Sequence, residues 1–142
     1  YIESLDDSFN PSWTGNNDQG RADQIWQYTG FDRQISVSFK VPVTSAAEKQ
    51  EVWKRLANLA RITQPLYGGT AGFYGQFVRV TIGDMFVSIP MYINDLTYSW
   101  DNETPWEITE GEQVPFYTTV DMTLGYVGNT APSTTTPIYN YG

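Results

Sequence analysis

Five carboxylates, Asp101, Glu103, Glu107, Glu110 and Glu112, fall within twelve residues beside Trp100 and Trp106. Glycoside hydrolysis uses a pair of carboxylates across a sugar ring, one as acid and one as base or nucleophile, and tryptophan faces stack on sugars. A solvated acidic loop with its tryptophans turned inward has the same composition, and charge runs ordinarily face solvent. The loop is the reading adopted. Asp101-Asn102-Glu103 resembles a fragment of a calcium loop but lacks the Asp-x-Asp-x-Asp-Gly spacing, so no cation is expected there. The chain has no cysteine and no histidine. That removes thiol nucleophiles, Ser-His-Asp triads and every His- or Cys-ligated metal. Gly68, Gly69, Gly72 and Gly75 lie close together, but no GxxxxGK[ST] pattern accompanies them, so they are read as a plain connection rather than a phosphate loop. No catalytic residue, cofactor or metal is assigned, and the chain is expected not to be an enzyme.

Elements that would position these residues can be read from periodicity. Residues 1–32 are rich in Asp, Asn, Gly and Ser, with aromatics at Phe9, Trp13, Trp26, Tyr28 and Phe31 in no sustained period; they are expected to form an extended N-terminal arm pinned by large side chains. From Gln34 to Val41 the alternation is strict, with Ile35, Val37, Phe39 and Val41 on one face, which predicts a strand. Ser45 and Glu48 make a capping box. The helix that follows should run from about Ala46 to Ile62, with Val52, Trp53, Leu56, Leu59 and Ala60 on the packed stripe and Lys49, Glu51, Lys54, Arg55 and Arg61 on the solvent side. A hairpin is expected over Phe77–Ile82 and Met85–Ile89 about Gly83-Asp84, with shorter strands over Met91–Ile93 and Leu96–Trp100. The last long strand carries Phe116, Thr118, Val120, Met122 and Leu124 on one face and Tyr117, Thr119, Asp121 and Thr123 on the other. Residues 128–142 form a low-complexity C-terminal arm ending in Ile138, Tyr139 and Tyr141. The expected fold is mainly β with one α-helix, a small barrel or sandwich over residues 33–127 flanked by a single amphipathic helix, with extended arms at both ends.

The 142 residues suit one domain, and 40% hydrophobic with 15% aromatic content is too apolar for a disordered acidic chain. The net charge is −8. All eight basic residues lie between Arg21 and Arg79, while residues 80–142 hold eight acids and no base. A surface that grips nucleic acid needs cations at several phosphates, so gripping is excluded, whereas a surface that nucleic acid slides past is not. No apolar run is long enough to span a membrane, and no charged and then apolar leader opens the chain, which starts at Tyr1 as a processed product or a portion of something longer does. The polar arms, studded with aromatics, are suited to lying across a neighbouring subunit. Trp13, Trp26 and Tyr28 in the first arm and Ile138, Tyr139 and Tyr141 in the last are the expected assembly contacts.

Several short motifs, taken in order, resemble tail proteins of long-tailed bacteriophages. They are Gly20-Arg21-Ala22-Asp23, Tyr28, Arg33 leading into Ile35-Ser36-Val37-Ser38-Phe39, a helix with Leu56 and Leu59, Gln64-Pro65-Leu66-Tyr67, Val80-Thr81-Ile82-Gly83-Asp84 and Leu96-Thr97-Tyr98-Ser99-Trp100. The order over residues 20–127 is similar to the tail-tube fold of tube-initiator and baseplate-hub proteins. The resemblance implies a structural virion protein, assembled in the bacterial host cytoplasm, whose partners are other copies of itself in a six-membered ring and neighbouring tail or baseplate proteins. DNA passes through the ring without specific binding, and no catalytic residue carries over. Some relatives append a peptidoglycan-binding module; nothing in these residues looks like one. An acidic channel wall would explain the charge split, with Asp101, Glu103, Glu107, Glu110, Glu112 and Asp121 as the candidates for facing it. The alternatives are a neck or tail-terminator protein, a carbohydrate-binding β-domain with coplanar exposed rings, and a glycosidase built on carboxylates alone.

Overall fold

The computed structural model describes residues 1–43, 45–68, 70, 72–100, 115–128, 131 and 133–139. In chain order the elements are β1 (Ile2–Asn16), β2 (Ile25–Pro42), α1 (Ala46–Ile62), β3 (Leu66–Tyr67), β4 (Phe73–Tyr74), β5 (Phe77–Ile82), β6 (Phe86–Ser99) and β7 (Tyr117–Tyr126). The chain is mainly β with one helix, as its periodicity predicts. Five strands form one antiparallel sheet in the order β1-β2-β7-β6-β5, and β3 and β4 form a small pair of their own.

The expected barrel or sandwich is not what forms. The sheet stays open, with β1 and β5 at opposite edges. Closure would have to pair the six residues of β5 with the fifteen of β1, and the apolar face finds its cover elsewhere. At one end α1 lies against it, with Leu56 buried and the Tyr98 hydroxyl donating to the Leu56 carbonyl at 2.7 Å. At the other, Tyr139 of the C-terminal segment packs on the core cluster of Ile35, Val37, Phe86, Met91 and Leu124. The opposite sheet face is polar: Ser36, Ser38 and Lys40 of β2 stand beside Thr123, Asp121 and Thr119 of β7.

Ser45 caps α1 as its spacing with Glu48 predicts, its hydroxyl accepting from the Glu48 amide at 3.3 Å. Lys49 departs from expectation: it is buried rather than on the solvent side, because positions 49, 52, 53 and 56 share one face of a helix.

Residues 1–32, expected as a polar arm without period, hold most of a long hairpin. Beyond Gln34, β2 has lost its partner β7, so Phe9–Asn16 and Ile25–Arg33 run on as a two-stranded ribbon, which adds about 25 Å at the usual rise of a strand.

Candidate functional site

Along β2 the residues of the apolar face are Arg33, Ile35, Val37 and Phe39, and along β1 they are Leu5, Asp7 and Phe9. A cation and an anion therefore occupy positions where alternation calls for apolar side chains. Pairing answers the cost of their burial. Arg33 Nε donates to Asp7 Oδ1 at 3.0 Å and Arg33 Nη2 to Asp7 Oδ2 at 2.7 Å, a bidentate bridge with the Arg33 side chain 4% exposed. The guanidinium carbon lies 4.6 Å from the Tyr126 ring, 4.9 Å from Phe9, 5.3 Å from Phe86 and 5.4 Å from Tyr139, an arrangement in which ring faces replace part of the lost hydration. Burial works against the Arg33 cation, but the hydrogen bonds and charge of Asp7 outweigh it and hold the group even more firmly protonated than usual.

The C-terminal segment completes this seat. The Tyr139 hydroxyl donates to Asp7 Oδ2 at 2.9 Å, its ring meets Phe86 edge-on at 5.6 Å, and the Ile138 carbonyl accepts from Arg33 Nη1 at 3.4 Å. The hydrogen bond to Asp7, then burial, then the Asp7 charge push the Tyr139 phenol above its ordinary value, with Arg33 acting in the opposite direction. Beside the seat opens a cleft of about 680 Å³, lined by Phe9, Tyr28, Phe31 and Tyr126 below and by Thr134 and Pro137 above.

The cleft continues into the aromatic face of the ribbon. Phe9, Pro11 and Trp13 alternate regularly along β1, but Phe31 and Tyr28 on β2 differ in parity and would lie on opposite faces of a regular strand. The register shifts between Ser12 and Trp13, so that Ser12 pairs with Gly30 and Trp13 with Tyr28. Thr29 is thus the extra residue of a bulge, and its hydroxyl donates to the Ser12 carbonyl at 3.1 Å. The bulge brings Phe31, Tyr28 and Trp26 onto one face. Trp13 and Tyr28 meet there at 5.0 Å and 80°, and Phe9 and Phe31 at 6.3 Å. Gly15 leaves room for Trp26, whose ring carbon would lie 3.2 Å from a Cβ at that position.

Of the expected assembly residues, Trp13, Trp26 and Tyr28 stand together on this face, 57%, 62% and 49% exposed. Ile138 and Tyr139 reach the root of the same ribbon, on their own chain. Tyr141 lies outside the described residues. So do the acidic candidates Asp101, Glu103, Glu107, Glu110 and Glu112. Asp121 is exposed on the polar sheet face between Ser38 and Thr97. Sequence reasoning missed Asp7 as a site residue and gave Arg33 no role beyond its place in a motif; the signal was present, as one charged residue at an apolar parity position on each of two strands.

Among the described residues, no helix is long and apolar enough to cross a membrane. No family model matches the chain, and no curated protein matches it. Among solved structures, the tail of an empty GTA particle, computed with helical refinement in C6 symmetry, is similar at a TM-score of 0.41 and 12% identity, over 93% of this chain and 81% of the other. A likeness of that size carries no weight for function.

Proposed function

We propose that the chain is a structural protein of a bacteriophage tail, a baseplate-hub or tube-initiator component that joins other copies into a ring around the DNA channel and acts without catalysis. The observation that carries this is the ribbon. A two-stranded ribbon is at best marginally stable in water, and this one presents Trp13, Trp26 and Tyr28 along one face. Large rings gathered in one exposed strip are a surface that a partner covers. The motifs over residues 20–127, which resemble tail-tube proteins, say what kind of partner: further copies and their neighbours in the virion. The polar sheet face carries Asp6, Asp95 and Asp121 against Arg79 and a Lys40 that is paired with Glu3 at 3.1 Å, a net negative balance that suits a wall repelling phosphate. That face is the one proposed to line the channel. A flat sugar-binding platform is less favoured, since Trp13 and Tyr28 stand at 80° rather than coplanar.

Immunogold electron microscopy of purified virions, with serum raised against this chain, tests the proposal. Label confined to the distal end of the particle supports the hub or initiator role. Label at the head-proximal end moves the chain to a neck or terminator position. Disrupted virions that stay unlabelled overturn the virion reading altogether.

A further inference from the structure

We infer that the Asp7–Arg33 seat is a socket that accepts the Ile138-Tyr139 segment of a second copy of this chain as well as its own, so that neighbouring copies can exchange C-terminal segments. The chemistry of the occupant is read directly from the one in place. It offers a phenol hydroxyl to Asp7, a ring edge to Phe86 and a main-chain carbonyl to Arg33. None of these contacts depends on the chain that leads to them.

Three observations favour exchange. The seat does not need its occupant for its shape: Asp7 and Arg33 stand on adjacent paired strands and bind each other in two places, with Phe9, Phe86 and Tyr126 around them. Among its described residues, the contacts that tie the connection to the rest of the chain lie at its ends. On the strand side, the amides of Val127 and Gly128 both donate to the Pro90 carbonyl, and Gly128 turns the chain at a φ of +74°. Between there and Ile138, the hydrogen bonds of Ser133, Thr135 and Thr136 among the described residues stay within the segment or reach Ala131. Finally, the segment roofs an apolar cleft of about 680 Å³ instead of packing down into it. Exchange makes and breaks the same contacts, so the balance between own and neighbouring segment is set by effective concentration, which an assembly raises. The socket works the same way in any assembly the chain joins, whether or not that assembly is a virion.

The test uses the full chain carrying Tyr139→Ala, which empties the socket, and a fluorescent peptide of residues 131–142 as probe. Saturable binding is expected to the variant and weaker binding to the unaltered chain, whose own segment competes. A peptide with phenylalanine in place of Tyr139 should bind roughly tenfold more weakly, as loss of a hydrogen bond to a charged group implies. Mixing the Tyr139→Ala chain with one carrying Asp7→Leu and Arg33→Met together, which removes the socket without stranding a buried charge, should then give a mixed species in sedimentation. Absence of peptide binding to a Tyr139→Ala chain that melts cooperatively overturns the inference. If that variant does not fold, hydrogen exchange on the unaltered chain decides: amides of residues 133–139 should open roughly tenfold or more faster than those of β7, and equal protection overturns it.

Discussion

Arg33 keeps its charge inside the sheet's apolar face because Asp7 answers it with two hydrogen bonds and four rings surround it. Such a pair is costly to break and cheap to replace as a whole. Asp7→Asn should lower stability by about 3–5 kcal/mol in urea denaturation, the usual cost of leaving a buried charge uncompensated. Combining Asp7→Leu with Arg33→Met should recover most of that loss. Tyr139 adds a pH dependence. Its proton is held more tightly in the folded chain than in the unfolded one, where a tyrosine titrates near its ordinary value of 10.0. Its contribution is therefore complete below that value and is lost as the pH rises through the higher folded one. The alkaline slope of stability should flatten in Tyr139→Phe. Burial raises Tyr98 as well, but Tyr98 is present in both chains, so the difference between the two denaturation series isolates Tyr139.

The elements were legible in the sequence wherever alternation runs unbroken, and their boundaries failed wherever a bulge shifts its parity. β7 and the half of β2 inside the sheet, Gln34–Val41, alternate strictly, and their faces are those expected; α1 spans the residues that its cap and stripe predict. β6 reads as three pieces because its apolar positions are Phe86, then Ile89, Met91 and Ile93, then Leu96 and Tyr98. Register shifts between Val80 and Ile82 of the β5 pairing and between Ile93 and Asp95 put all six on one face. The ribbon reads as an arm for the same reason, its parity changing at Thr29. A bulge is fixed by pairing across strands, which a single sequence does not display. In the first of the β6 bulges Ser88 takes a φ of +52°, with its amide donating to Thr81 Oγ1 at 3.0 Å and its carbonyl accepting from Arg79 at 3.1 Å. Ser88→Gly keeps both main-chain bonds and relieves the side-chain strain of that conformation, so thermal denaturation should show a gain of about 0.5–1 kcal/mol.

At the scale of the molecule the exposed features divide between the two faces of one sheet. The aromatic strip is proposed to meet other copies and the polar face to meet DNA. Replacing Trp13 and Trp26 together by serine should leave the melting of the monomer within about 0.5 kcal/mol, since both are more than half exposed. Association followed by sedimentation should be lost. Asp121→Lys should likewise leave stability nearly unchanged while slowing DNA release from virions that carry it, which an infectivity and ejection assay would read. The strand order β1-β2-β7-β6-β5 carries one more consequence. The strand synthesised last, β7, is the middle one, and until it arrives the β1–β2 and β5–β6 hairpins have no common sheet to join. A chain still emerging from the ribosome thus cannot display a finished polar face or a filled seat. The aromatic ribbon lies beyond the reach of β7 and can pair earlier, so of the exposed features it is the polar face and the seat that wait for the whole chain.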